Sequence, residues 1–304
     1  MSQENFTIAL NKKEAVCRHF QVPAAADSLL DFFFTEAELD FLASEDRESF
    51  ASEEYGEALI AELYGRGIIS KTDESGKRYR ISNFYSFLDV FVVTRKAEYD
   101  TLSPEQKRAL DDWYFEAYYE GLDGDPKARP TEDEVLPLDE TLAFIDRREG
   151  PIYLNYCDCR SLRGECGLPT RTCLTYRNGI NTFVDRGISE EIDKERAKEI
   201  VREADKAGLM HTVNPGGICN CCGDCCYLFR SQRRRESTGF WPAAKYIVAL
   251  NKDNCLMCGL CVKRCHFDVF KKEQEILSDD SRCVGCGLCV NACPGKALYL
   301  RERL

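Results

Sequence analysis

The stretch Cys255-Leu-Met-Cys258-Gly-Leu-Cys261-Val-Lys-Arg-Cys265 returns 28 residues later as Cys283-Val-Gly-Cys286-Gly-Leu-Cys289-Val-Asn-Ala-Cys293, followed by Pro294. Both copies follow C-x2-C-x2-C-x3-C. Three thiolates at this spacing on a tight loop can each hold one iron of a single cubane. Gly259 and Gly287 would let the backbone come close. The fourth cysteine of each copy is expected to open a short helix that points across to the other set. Zinc favours two separated pairs of ligands, so four cysteines at triple-plus-one spacing, twice over, read as two iron–sulfur sites.

The rest of the chain is consistent with metal rather than disulfide chemistry. It has 304 residues, 18 of them cysteine, and a net charge of −11. That is too long for a small disulfide scaffold and long enough for two or three domains with ample core. The apolar share of 44% excludes a disordered tail protein. No apolar run is long enough to span a membrane, since Phe87–Val93 is broken by Asp89. Met1–Leu10 lacks a basic n-region and an apolar h-region, so a cytoplasmic protein is expected. Disulfides are disfavoured in that compartment, and the cysteines then need metal to explain them. The acidic balance argues against bulk binding of nucleic acid.

The cysteines divide the chain. Cys17 stands alone, nine lie between Cys157 and Cys226, and eight between Cys255 and Cys293. Before them the sequence reads as mostly helical. Thr35-Glu-Ala-Glu38 and Ser103-Pro-Glu-Gln106 are capping boxes. Glu57–Tyr64 has helical spacing and ends at Gly65 and Gly67; Ile68–Lys71 and Arg78–Ile81 flank a turn at Asp73-Glu-Ser-Gly76. Helix, strand, turn and strand together resemble the end of a winged-helix domain, with a generic α/β packing unit as the alternative. Glu57 and Glu62 sit on the candidate recognition helix with no Lys or Arg before Arg66, so DNA is not the expected partner. Gly124–Pro137 is acidic and proline-containing and reads as a linker.

Residues 246–304 closely resemble the bacterial-type dicluster ferredoxins, which carry two [4Fe–4S] clusters on this cysteine run. The resemblance implies crossed ligand sets: Cys255, Cys258 and Cys261 with Cys293, and Cys283, Cys286 and Cys289 with Cys265. It also implies that Tyr246–Leu250 and Ala297–Leu300 pair as terminal strands. His266 replaces the usual proline of the first copy. It either tolerates the position or bonds a cluster sulfur and raises that cluster's potential slightly.

The central nine are less regular. Cys219, Cys222 and Cys225 again read C-x2-C-x2-C, which suggests a third cubane with a remote fourth ligand. Cys157, Cys159, Cys166, Cys173, Cys221 and Cys226 then supply that ligand and a further cubane, with one thiol spare. The expectation is four [4Fe–4S] clusters and about sixteen irons. One cluster with a zinc, a larger fused cluster and two zinc sites are the alternatives. Glu190–Ala207 has helical periodicity and stops at Gly208. With its C-x-C-Arg and Cys-Asn-Cys-Cys motifs, the stretch 150–304 resembles the poorly characterised 4Fe-4S ferredoxin-like proteins of anaerobes, which implies electron transfer and names no substrate.

The sequence lacks a P-loop, a dinucleotide-binding glycine turn and a C-x3-C-x2-C triplet, so no nucleotide, flavin or radical-SAM site is expected. His19 and His211 read as packing or surface residues. Arg230 and Arg233–Arg235, with Arg160 and Arg163, could offset cluster charge or form a docking rim for an acidic redox partner. The expectation is thus an α+β multidomain chain. It has a helical, winged-helix-like part over 1–125, a linker over 126–150, a cysteine-rich iron–sulfur region over 151–245 and a dicluster ferredoxin domain over 246–304. Its expected role is multi-cluster electron transfer in anaerobic metabolism, between a soluble donor and a partner enzyme, rather than free-standing catalysis. A redox-sensing winged-helix regulator and a reductase subunit with a substrate-binding cluster are the alternatives.

Overall fold

The structure, a computed structural model, describes residues 3–122, 124 and 131–303. The chain is mixed α/β and forms two compact units: Met1–Ala117 with Asn178–Ile188, and Tyr118–Arg177 with Ser189–Leu304.

In the first unit, the Glu36–Ser44 helix starts on the expected capping box, Thr35 with Glu38. Then come β1 (Phe50–Ala51), a short 3-10 turn, the Glu57–Gly65 helix, β2 (Ile69–Lys71) and β3 (Arg78–Ile81). The strands form an antiparallel sheet in the order β1-β3-β2. Gly76, at φ +63, closes the β2–β3 turn in a conformation that costs glycine least. Phe20, Phe33, Phe34, Phe84, Phe87 and Phe91 interlock mostly edge to face under the Phe84–Thr94 helix. The segment Asn178–Ile188 returns to this unit. Asp185 accepts from the Tyr64 hydroxyl and from Lys71 Nζ at 2.7 Å, and Asn181 bonds both backbone groups of Lys71.

The second unit is built on seven strands: β4 (Glu134–Leu136), β5 (Ile152–Asn155), β6 (Cys173–Thr175), β7 (Glu190–Ile192), β8 (Met210–Asn214), β9 (Gly217–Cys221) and β10 (Ala243–Ala244). Their order is β10-β4-β8-β9-β6-β5-β7, with only β10–β4 parallel. Residues 125–130 of the expected linker lie outside the described residues. The rest of that stretch is not a bare connection, because it carries β4 and the Leu138–Arg147 helix. The helix expected over Glu190–Ala207 begins only at Lys194, capped by the Asp193 side chain; Glu190–Ile192 is an edge strand instead. Its C-terminus is as expected, with Gly208 left-handed at φ +98.

Strand alternation sorts this sheet into two chemistries. Leu154, Leu174, Val213 and Ile218 face the Leu138–Arg147 and Lys194–Ala207 helices in one apolar core. Cys173, Thr212, Asn214, Cys219 and Cys221 occupy alternate positions and line a cavity instead.

The end of the chain pairs β11 (Tyr246–Leu250) with β14 (Leu298–Glu302), while β12 (Phe270–Lys272) and β13 (Ile276–Ser278) form a hairpin between them in sequence. The expected terminal pairing is present, from Tyr246↔Glu302 to Leu250↔Leu298.

Candidate metal centres

Each ferredoxin-type loop turns on a left-handed glycine, Gly259 at φ +74 and Gly287 at φ +79, which caps a short helix, Leu260–Arg264 or Leu288–Asn291. The third cysteine of each run sits on that helix. The fourth, Cys265 or Cys293, follows its end, so it closes the helix rather than opening it.

The eight cysteines line two separate cavities. One is ringed by Cys255, Cys258, Cys261 and Cys293, the other by Cys265, Cys283, Cys286 and Cys289. Each cavity therefore takes three thiols from one loop and the fourth from the other. The surrounding shell is apolar: Val248, Phe267, Val269, Phe270, Ile276 and Leu288 are buried around them. Backbone N–H groups point at the sulfurs, from Val248 (3.4 Å) and Gly285 (3.3 Å) to Cys283, and from Ala297 (3.3 Å) to Cys293.

Burial pushes the Cys286 thiol up to about 12 and raises Cys289 further. A thiolate in so dry a site needs a cation, which cluster iron supplies. Four thiols, an apolar shell and N–H donors at sulfur fit a [4Fe–4S] group in each cavity. When bound, such a group accepts and releases one electron.

His266 is anchored by a backbone carbonyl. Its Nε2 lies 2.7 Å from the Gly208 carbonyl, which takes its hydrogen bond. His211 is a packing residue, fully buried, with Nδ1 2.6 Å from Asn220 Oδ1. His19 Nδ1 meets the Leu42 carbonyl at 2.9 Å. Cys17 belongs to the first unit, with Asp27 as its neighbour.

The central nine cysteines fall into six and three. Cys157, Cys159, Cys173, Cys219, Cys221 and Cys226 line one cavity of about 810 Å³, with Tyr118, Asp133, Thr212, Asn214, Arg235 and Trp241 on its other walls. The thiols neighbour one another along it in the order Cys159, Cys157, Cys173, Cys219, Cys221 and Cys226. Cys166, Cys222 and Cys225 gather elsewhere with Asp224. The triplet Cys219, Cys222 and Cys225 is thereby split. Cys219 is on a strand, where alternation aligns it with Cys221, whereas Cys222 and Cys225 belong to the turn that follows. Cys226 occupies the N-cap position of the Tyr227–Arg234 helix.

Arg160 is not part of a docking rim. It is 1% exposed and donates to the carbonyls of Pro169 (2.8 Å) and Asn220 (3.0 Å) and to Thr172 Oγ1 (2.8 Å). Burial opposes its charge, but the surrounding Cys157, Cys173, Cys222 and Cys221 outweigh that and hold it as a cation. Its burial and three hydrogen bonds make it a staple of this wall and are compatible with counter-charge, the other of the two expected readings. The neighbouring arginines are also engaged. Arg235 donates to the Leu122 carbonyl at 3.0 Å, Arg234 lies over the Tyr119 ring and Arg163 pairs with Glu165.

Comparison with known proteins agrees with the C-terminal geometry. A family model described as a 4Fe-4S binding domain, Fer4, matches residues 276–299, which include the second cysteine run. No curated protein and no solved structure matches the chain. Residues 276–299 thus lie in an iron–sulfur, ferredoxin-like, metal-binding segment. Among the described residues, no helix is long and apolar enough to cross a membrane.

Proposed function

We propose that the chain is a multi-cluster iron–sulfur electron-transfer protein of anaerobic metabolism, passing electrons between a soluble donor and a partner enzyme in the cytoplasm. The observation that carries this reading is the pair of adjacent four-cysteine cavities, each completed by a cysteine from the other's loop. The crossed ligand sets are Cys255, Cys258, Cys261 with Cys293, and Cys283, Cys286, Cys289 with Cys265. The six-cysteine cavity adds at least one further cluster to the chain of centres. Cys258 is exposed, and Leu256 and Leu260 beside it are 65% and 39% exposed. This apolar edge is where a ferredoxin or oxidoreductase would dock, close enough to exchange electrons.

The first unit supports a winged-helix-like reading through its helix–strand–helix–hairpin order and its β1-β3-β2 sheet. The Glu57–Gly65 helix exposes Glu57 and Glu62 and no Lys or Arg, which favours a protein partner over DNA. One observation favours a second reading, a reductase subunit with a substrate-binding cluster: the central cavity is far roomier than either ferredoxin-type cavity.

Anaerobic mixing with a reduced low-potential ferredoxin, followed by EPR with and without cyanide, separates the two. The carrier is expected to take up electrons in every cluster, and cyanide to leave all the signals unchanged. A chain that ferredoxin cannot reduce would sink the carrier reading, and one signal shifting selectively with cyanide would favour the reductase.

A further inference from the structure

We propose that Cys166, Cys222, Cys225 and Asp224 form a site for a single tetrahedral metal ion, zinc by the chemistry of its donors, and not for a cubane. One ligand atom from each of the four lies within 4.8 Å of all the others. A tetrahedral ion with metal–sulfur bonds of about 2.3 Å and a metal–oxygen bond of about 2.0 Å sets its ligand atoms roughly 3.5–3.8 Å apart. The four atoms thus need only small rotamer changes to close on one ion.

The ferredoxin-type cysteines provide the internal comparison. They ring cavities in the same unit, yet none belongs to a group of three or more ligands that converges within that distance. The other converging group, Cys157, Asp158 and Cys159, is part of the six-thiol cavity wall. The two kinds of site therefore differ in size within one molecule.

Local sequence explains how the ligands meet. Cys166 rides a tight loop between left-handed Gly164 and Gly167 (φ +68 and +65). Cys222 and Cys225 are fully buried against Ala204 and Leu209, with Cys166 and Leu168 packed beside them. Gly223 lets the turn press on His266, where a Cβ would stand 2.4 Å from the histidine Cβ. Asp224 is exposed and reaches the group from the solvent side. Three thiolates and a carboxylate suit a borderline-soft divalent ion with no redox chemistry of its own. Its position suits a clamp: Cys221 and Cys226, which flank this turn, both line the six-thiol cavity. The ion would hold the Cys166 loop and the Cys222–Cys225 turn together, and so fix that part of the cavity wall. This rests on the iron–sulfur reading only in leaving six central cysteines for clusters.

The test is elemental analysis of the anaerobically purified full chain, with zinc-edge X-ray absorption. The expected result is about one zinc per chain, with three sulfur ligands at about 2.3 Å and one oxygen near 2.0 Å. Cys166→Ser should release zinc to a chromogenic chelator at least tenfold more readily, with the ferredoxin-type EPR signals unchanged. Asp224→Cys, which keeps four donors, should retain zinc with an all-sulfur shell and guards against a variant that merely misfolds. The proposal is overturned if the chain holds no zinc and Cys166→Ser instead removes about four irons. That result would leave the electron-transfer reading standing, which fails on its own evidence if the wild-type chain contains zinc but no acid-labile sulfide.

Discussion

Cys293→Ala is expected to destroy the cluster above the other loop and spare the one above its own. Cys293 follows the Leu288–Asn291 helix, but its sulfur lines the cavity of Cys255, Cys258 and Cys261. The variant should therefore reproduce the EPR spectrum of Cys258→Ala, with one signal lost or converted to a three-iron form. It should not resemble Cys286→Ala. Ala297 donates its backbone N–H to the Cys293 sulfur at 3.3 Å, so the substitution also removes an acceptor in a partly buried place. A spectrum matching Cys286→Ala would show that each loop completes its own cluster.

Arg160→Met should collapse the central site while leaving the C-terminal signals intact. Methionine keeps much of the volume but none of the donors. The substitution strands the Pro169 and Asn220 carbonyls and the Thr172 hydroxyl, and removes the only cation among Cys157, Cys173, Cys221 and Cys222 that the described residues bury so fully. Breaking a buried, hydrogen-bonded charge cluster from one side costs about 3–5 kcal/mol. In a unit of this size that corresponds to a fall in Tm of order 10 °C. Arg160→Lys should rescue little, since an ammonium cannot reproduce the planar fork that serves three acceptors. Iron analysis with thermal melts checks this, and a Met variant with wild-type iron and a Tm within a degree or two would refute it.

How much of the molecule the sequence discloses depends on whether spacing or pairing carries the information. The C-terminal sites are legible because their ligands sit at fixed local offsets. The crossing of Cys265 and Cys293 came from family resemblance, and the two cavities are lined accordingly. The central site is not legible by the same reasoning. The spacing C-x2-C-x2-C at Cys219, Cys222 and Cys225 suggests three ligands of one cubane, but Cys219 lies on β9, where residues two apart share a face, and Cys222 and Cys225 lie in the turn after it. The more telling signal was Cys219-Asn220-Cys221 itself, alternating thiol and core positions, with Asn220 buried against Arg160 and His211. Asp224 stands inside the Cys222–Cys225 turn, but the convergence of the four ligands depends on the distant Cys166 loop, which spacing does not disclose. For Arg160 the sequence leaves both counter-charge and a docking rim open, because it gives charge without burial.

The most direct test of the account is iron and acid-labile sulfide on anaerobically purified protein, with EPR of the reduced form. With two ferredoxin-type cubanes, one cluster on the six-cysteine wall and a single ion at Cys166, the expected content is about twelve irons and twelve sulfides per chain, with three reduced-cluster signals. Eight irons or fewer, with no signal beyond the ferredoxin-type pair, would contradict the claim that the central cysteines extend the electron path.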